Sequence, residues 1–80
     1  MPHRLGQLGV GEQGTVCGFV PGAKSYRAKL LAMGLTRGIS FKITRVAPLG
    51  DPLEISLRGF SLSLRRDEAN AVLVTKENGE

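Results

Sequence analysis

Two five-residue runs constrain this chain most. Leu53, Ile55 and Leu57 alternate with Glu54 and Ser56, and Phe60, Leu62 and Leu64 alternate with Ser61 and Ser63. Strict alternation is the signature of a strand with one buried face. Only Arg58-Gly59 separates the runs. A two-residue turn there pairs Leu57 with Phe60, Ile55 with Leu62 and Leu53 with Leu64, so that all six face one side. A slip of one residue would bury serines and Glu54, which fixes the register. Arg-Gly is a weaker hairpin turn than Asn-Gly or Asp-Gly.

One hairpin cannot hold a fold alone, so the rest of the chain must cover its apolar face. Thr15 to Val20 reads as a first strand, ended by Pro21-Gly22, and Gly18 within it suggests a bulge. Ser40 to Ala47 reads as a second strand. Phe41 and Ile43 alternate with Lys42 and Thr44, then the phase slips to Val46, which predicts a bulge or bend near Thr44-Arg45. Pro48 to Pro52 is a turn, since each proline excludes helix and extends the residue before it. Arg65 to Asn70 reads as a helical turn and Val72 to Val74 as a last strand. Lys76 to Glu80 is expected to fray.

Ser25 to Met33 reads as a helix of two to three turns. Ser25 is the candidate N-cap. Tyr26, Leu30 and Met33 fall on one face, widened by Leu31 and Leu35, while Lys24, Arg27 and Lys29 form the solvated remainder. Gly34 stands where a helix needs a left-handed residue to stop. So short a helix must dock on the sheet. The result is a mainly β fold with a short inserted helix, a small, partly open and strongly bent barrel of about five strands.

Eighty residues suit one domain, spanning 1–80 with an ordered core of about 5–75. A chain of this size buries only about 60–65% of its unfolded surface, so one modest core of Leu, Val and Ile must suffice. The net charge of +4 is unevenly placed. Residues 24–66 carry nine basic side chains against Asp51 and Glu54. A basic body suits an acidic protein, nucleic acid or a membrane surface. The start lacks the apolar run of a signal peptide, and no stretch approaches the ~20 apolar residues of a membrane span. A cytoplasmic protein is expected.

Chemistry-bearing motifs are sparse. Gly9, Gly11 and Gly14 match G-x-G-x-x-G, but no helix follows to present amides to a phosphate, so the glycines read as a turn into the first strand. Cys17, His3, Met1 and Met33 are too few and too scattered for a structural zinc site. The lone Cys17 permits no internal disulfide and reads as a small apolar residue. His3 is expected in a mobile terminus, where it has no nucleophile to serve. Neither an enzyme nor a metal or cofactor site is expected. Lys42, Arg45, Arg58, Arg65 and Arg66 could form a basic stripe. All three phenylalanines fall in core phase, however, which leaves only nonspecific attraction for nucleic acid. Leu31, Leu35, Leu49 and Leu73 exceed the predicted inward phases. They either complete the core or line a groove for a partner's apolar segment.

Three stretches carry a family resemblance: Leu5-Gly6-Gln7-Leu8 with Gly11, Gly14 and Val16; Arg27 through Gly38; and Val46-Ala47-Pro48-Leu49-Gly50-Asp51-Pro52-Leu53-Glu54-Ile55. Leu62 to Arg66, with Glu68-Ala69, extends them. The chain resembles the FeoA family of small cytoplasmic proteins encoded with bacterial ferrous-iron transporters, over about residues 5–75. The same module resembles the C-terminal domain of iron-dependent repressors. The resemblance implies an SH3-like barrel with an inserted helix. It implies an accessory or regulatory protein of ferrous iron uptake, working on the cytoplasmic part of an FeoB-type transporter at the inner face of the membrane. The partner surface is expected at the helix end and its turn, Leu31, Met33, Leu35 and Arg37, together with Leu49. Apolar side chains beside a basic rim suit an acidic partner. The alternative is a basic nucleic-acid-binding barrel. An open barrel edge also allows a homo-oligomer.

Overall fold

The computed structural model describes residues 2–77. Its elements, in chain order, are β1 (His3–Arg4), a 3-10 turn (Leu5–Gln7), β2 (Gln13–Phe19), α1 (Lys24–Ala32), β3 (Ser40–Val46), β4 (Leu53–Leu57), β5 (Phe60–Leu64), α2 (Arg66–Asn70) and β6 (Val72–Glu77). The strands form one open antiparallel sheet in the order β1-β6-β2-β3-β4-β5. The sixth strand, beyond the five expected, is β1. There His3 pairs with Val74 and Arg4 with Leu73, so His3 is held in the sheet rather than in a loose terminus. Lys76 and Glu77, expected to fray, pair with Gly14 and Gln13. The remainder of that expectation, residues 78–80, lies outside the described residues.

The β4–β5 hairpin has the register its alternation dictates: Leu53 with Leu64, Ile55 with Leu62, Leu57 with Phe60. Leu53, Ile55, Leu57 and Leu64 are buried. Phe60 is not: beside the Arg58-Gly59 turn, at the closed end of the hairpin, it is 45% exposed. The expectation that all three phenylalanines face inward holds for Phe41 alone, since Phe19 is only half-buried.

Both expected irregularities are present. The β3–β4 register shifts between Ile43 and Arg45, and the displaced Thr44 donates its hydroxyl to the Glu54 carbonyl at 3.0 Å. The β2–β6 register shifts between Val16 and Gly18. These shifts bend the strands and let a short sheet curl around its core. At Gly14 the strands approach so closely that a Cβ would fall 1.8 Å from the Thr75 carbonyl oxygen.

The core is aliphatic. Leu5, Val16, Leu30, Leu35, Ile43, Leu53, Ile55, Leu64, Val72 and Val74 are all under 2% exposed. Leu30 is the one side chain of α1 that is fully buried, with Tyr26 and Met33 packed beside it. The helix begins one residue before the expected start. Ala23 occupies the N-cap position without a side-chain hydrogen bond, so Ser25 lies within the first turn and does not cap. The second helix is better anchored: Glu68 accepts the Arg65 amide at 3.0 Å.

Candidate docking surface

The C-terminus of α1 decides which apolar side chains remain available. The Gly34 amide donates to the Leu31 carbonyl and the Leu35 amide to the Leu30 carbonyl, each at 3.0 Å. Gly34 has φ +106°. This pair of bonds is a Schellman motif, which turns the chain back and packs the residue after the glycine against the last turn of the helix. Leu35 is accordingly driven against Leu30, and both are fully buried. Leu35 therefore belongs to the core, and its assignment to a partner surface is corrected. Met33 is half-buried against the same core.

Leu31 and Arg37 come together in one groove. Its walls are the end of β2 (Gly18, Phe19), the following Val20 and turn Pro21-Gly22-Ala23, and the α1 face bearing Lys24, Arg27 and Leu31. These three helical residues recur at i, i+3 and i+7 and so share a face. The Arg27 guanidinium lies 6.0 Å from the Phe19 ring centroid, within cation–π range. Arg37 closes the groove, with its guanidinium near Gly18 of the β2 bulge. Lys24, Arg27 and Arg37 are exposed, and among the described residues none has a carboxylate within salt-bridge distance. A second depression continues from Arg37 to Arg58 across Ile39.

Leu49 stands apart from that groove, on the β3–β4 turn. It is 94% exposed, yet its turn is held firmly. The Gly50 amide donates to the Ala47 carbonyl at 2.7 Å, and the Ala47 amide to the Pro52 carbonyl at 3.1 Å. The Arg66 guanidinium donates to the Gly50 carbonyl at 2.9 Å, and the Arg66 amide to Asp51 Oδ1 at 3.2 Å. Asp51 thus satisfies an orphan amide in the first turn of α2 and fastens the turn there. In turn, α2 is joined to α1 by the Lys29–Glu68 ion pair. Lys29 and the Arg65 amide hold the Glu68 carboxyl below its usual range, against the opposing effect of burial.

Sequence reasoning put Phe60 and Phe19 in core phase and read Lys24 and Arg27 only as solvated residues, so it missed Phe19, Lys24 and Arg27 as elements of the groove and Phe60 as a surface side chain. Phe60 rests against Gly34, where a Cβ would fall 2.9 Å from its ring. The glycine that ends the helix also makes this seat, which is a signal legible only once the hairpin is docked on α1. Of the residues proposed for a basic stripe, Arg66 is engaged at the Gly50 carbonyl, while Arg45 stands opposite Glu54 and Lys42 opposite Ser56 across the β3–β4 pair. Among the described residues no three His, Cys, Asp or Glu side chains gather closely enough to hold a metal ion. Cys17, unpaired, lies half-buried at the β2 bulge. No helix among the described residues is long and apolar enough to cross a membrane.

The described residues thus form a small, open antiparallel sheet with an inserted helix, and they present apolar side chains beside cations that have no carboxylate partner among them. The family follows from the comparison of sequences. The FeoA domain family model matches residues 3–76, and the chain belongs to that family. It is 32% identical over 71 residues to a Fe(2+) transport protein A/Fe(2+) transporter FeoB fusion protein of Porphyromonas gingivalis. That match covers 89% of this chain and only 8% of the fusion protein. The FeoA-like protein of Clostridium acetobutylicum has the same fold, with a TM-score of 0.89 and 38% identity over 99% of this chain and 91% of that one. The FeoA of Stenotrophomonas maltophilia, described as a prokaryotic SH3 domain protein, superposes with a TM-score of 0.77 at 21% identity, covering 100% and 99% of the two chains. The fold also recurs in T. acidophilum IdeR, with a TM-score of 0.82 at 24% identity, over 95% of this chain and 34% of that one.

Proposed function

We propose that this domain is an accessory protein of ferrous iron uptake that docks on the cytoplasmic part of an FeoB-type transporter. The observation that carries the reading is the relative in which a matching segment is fused to FeoB. Fusion holds two modules at high effective concentration and is favoured where the separate proteins would otherwise have to find each other. The domain acts as a binding module rather than an enzyme, and iron passes through the partner.

The docking residues are Leu31, Met33 and Arg37 at the end of α1, with Leu49 on its braced turn. Leu49 suits the role because an apolar side chain held out on a rigid turn loses little freedom when a partner covers it. Arg37 and its neighbouring cations would steer an acidic partner surface into place. Since Leu49 and Leu31 are exposed, both can be changed to aspartate without opening the core.

The test is co-purification of the tagged chain with the transporter from gently solubilised membranes of its host. Association that is lost in Leu49→Asp or Leu31→Asp, while both variants stay folded, supports the reading. Unimpaired ferrous iron uptake in both variants would refute the assigned surface.

A further inference from the structure

The groove between β2 and α1 has a composition that selects its occupant. Its apolar part is Phe19, Val20 and Leu31; its charged part is Lys24, Arg27 and Arg37. Among the described residues the lining contains no acidic side chain. We propose that this groove binds an extended acidic peptide segment whose leucine or similar apolar residue seats against Leu31 and Val20, with flanking carboxylates on the three cations. As to which protein carries the segment, the proposal rests on the transporter-docking reading above.

Charge complementarity singles out this occupant. Three cations with no carboxylate partner among the described residues repel one another, and an acidic ligand relieves that repulsion. A second copy of the chain is a poor occupant. Among the described acidic residues Glu12 is paired with Lys76, Glu68 with Lys29 and Asp51 is bound to the Arg66 amide, while the exposed Glu54, Asp67 and Glu77 stand singly on β4, α2 and β6 rather than in one acidic segment. Nucleic acid is disfavoured as well. Single-strand binders offer open aromatic faces for base stacking, whereas the groove's one ring, Phe19, lies under the Arg27 guanidinium.

The experiment is fluorescence anisotropy of a fluorescein-labelled octapeptide, Glu-Asp-Glu-Leu-Leu-Glu-Asp-Glu, titrated with the full chain. Saturable binding is expected. Arg27→Glu and Arg37→Glu should each weaken it by roughly fivefold to tenfold, as partly exposed charge pairs do on reversal. Arg45→Glu, outside the groove, should change it by less than about twofold. Replacing both peptide leucines by serine should weaken binding at least ~fivefold through lost apolar burial. Equal weakening by Arg45→Glu, or unimpaired binding of the serine peptide, would overturn the proposal in favour of diffuse charge attraction. Tighter binding of a single-stranded oligothymidylate at the same site would overturn it in favour of nucleic acid. Displacement of the peptide as the chain dimerises would overturn it in favour of self-association. Transporter co-purification without peptide binding would reject the ligand class and leave the docking reading standing. Peptide binding without transporter co-purification would uphold the groove and reject that reading.

Discussion

The Leu35 amide donates to the Leu30 carbonyl at 3.0 Å, and the two side chains are buried together. One backbone bond thereby converts a leucine that follows the helix into part of the core. Leu35→Ala should destabilise the domain by about 2–4 kcal/mol, the usual cost of emptying a leucine site. Urea denaturation of the two proteins measures this. Leu35→Asp should not fold, so loss of partner binding in that variant would report unfolding rather than a contact.

Gly34 carries the same turn at φ +106°, with Phe60 directly above it. Gly34→Ala imposes a left-handed alanine and crowds the ring. A loss of about 1–2 kcal/mol is expected, with Phe60 displaced toward solvent. Thermal unfolding gives the first quantity, and the aromatic NMR shifts of Phe60 report the second.

Glu68 joins the two helices through Lys29 and accepts the Arg65 amide. Its carboxyl lies below the ordinary value of 4.5 in the folded protein, chiefly because of Lys29. The folded state therefore binds its proton less readily than the unfolded chain does. This contribution to stability is complete above about pH 4.5 and disappears as the pH falls through the folded value. Urea midpoints measured between pH 7 and pH 3 should decline on the acidic side, and Glu68→Gln should flatten that decline. An unchanged slope would contradict the assignment. Glu12, held low by Lys76 and the Gly9 amide, contributes in the same direction, so some slope should survive in Glu68→Gln.

Asp51 binds the first-turn amide of α2 and so braces the turn that bears Leu49. Asp51→Ala should cost about 1 kcal/mol, typical of losing a side-chain acceptor at a helix start. Faster hydrogen exchange at the Arg66 amide should accompany it. Leu49→Asp should change stability by less than about 0.5 kcal/mol, because its side chain touches little of the fold.

The sheet was largely legible in the sequence because alternation with period two and a one-residue phase slip are local signals. Leu53 to Leu64 specify their own register, and the slip at Thr44 announces its bulge. Strand β1 was not legible: two residues have no periodicity, and His3 and Arg4 are ordered only by pairing with β6. The surface was read less well. Leu31, Arg37 and Leu49 lie on the outside as expected, but Leu35 is removed from it by the Schellman turn at Gly34, which a helical wheel does not express. Phe60 errs in the opposite direction, since alternation assigns a face without saying where the core ends. The groove cations Lys24 and Arg27 read as ordinary solvated residues until the β2 end was placed beside them.

The most direct measurement is co-purification of the tagged chain with an FeoB-type transporter, compared with Leu49→Asp and Leu31→Asp proteins whose folding has been checked by circular dichroism. The account predicts recovery of the transporter with the unmodified chain and its loss with the variants. Equal recovery with all three would contradict the surface. Failure to recover the transporter with the unmodified chain, together with salt-sensitive recovery of nucleic acid, would contradict the docking role itself.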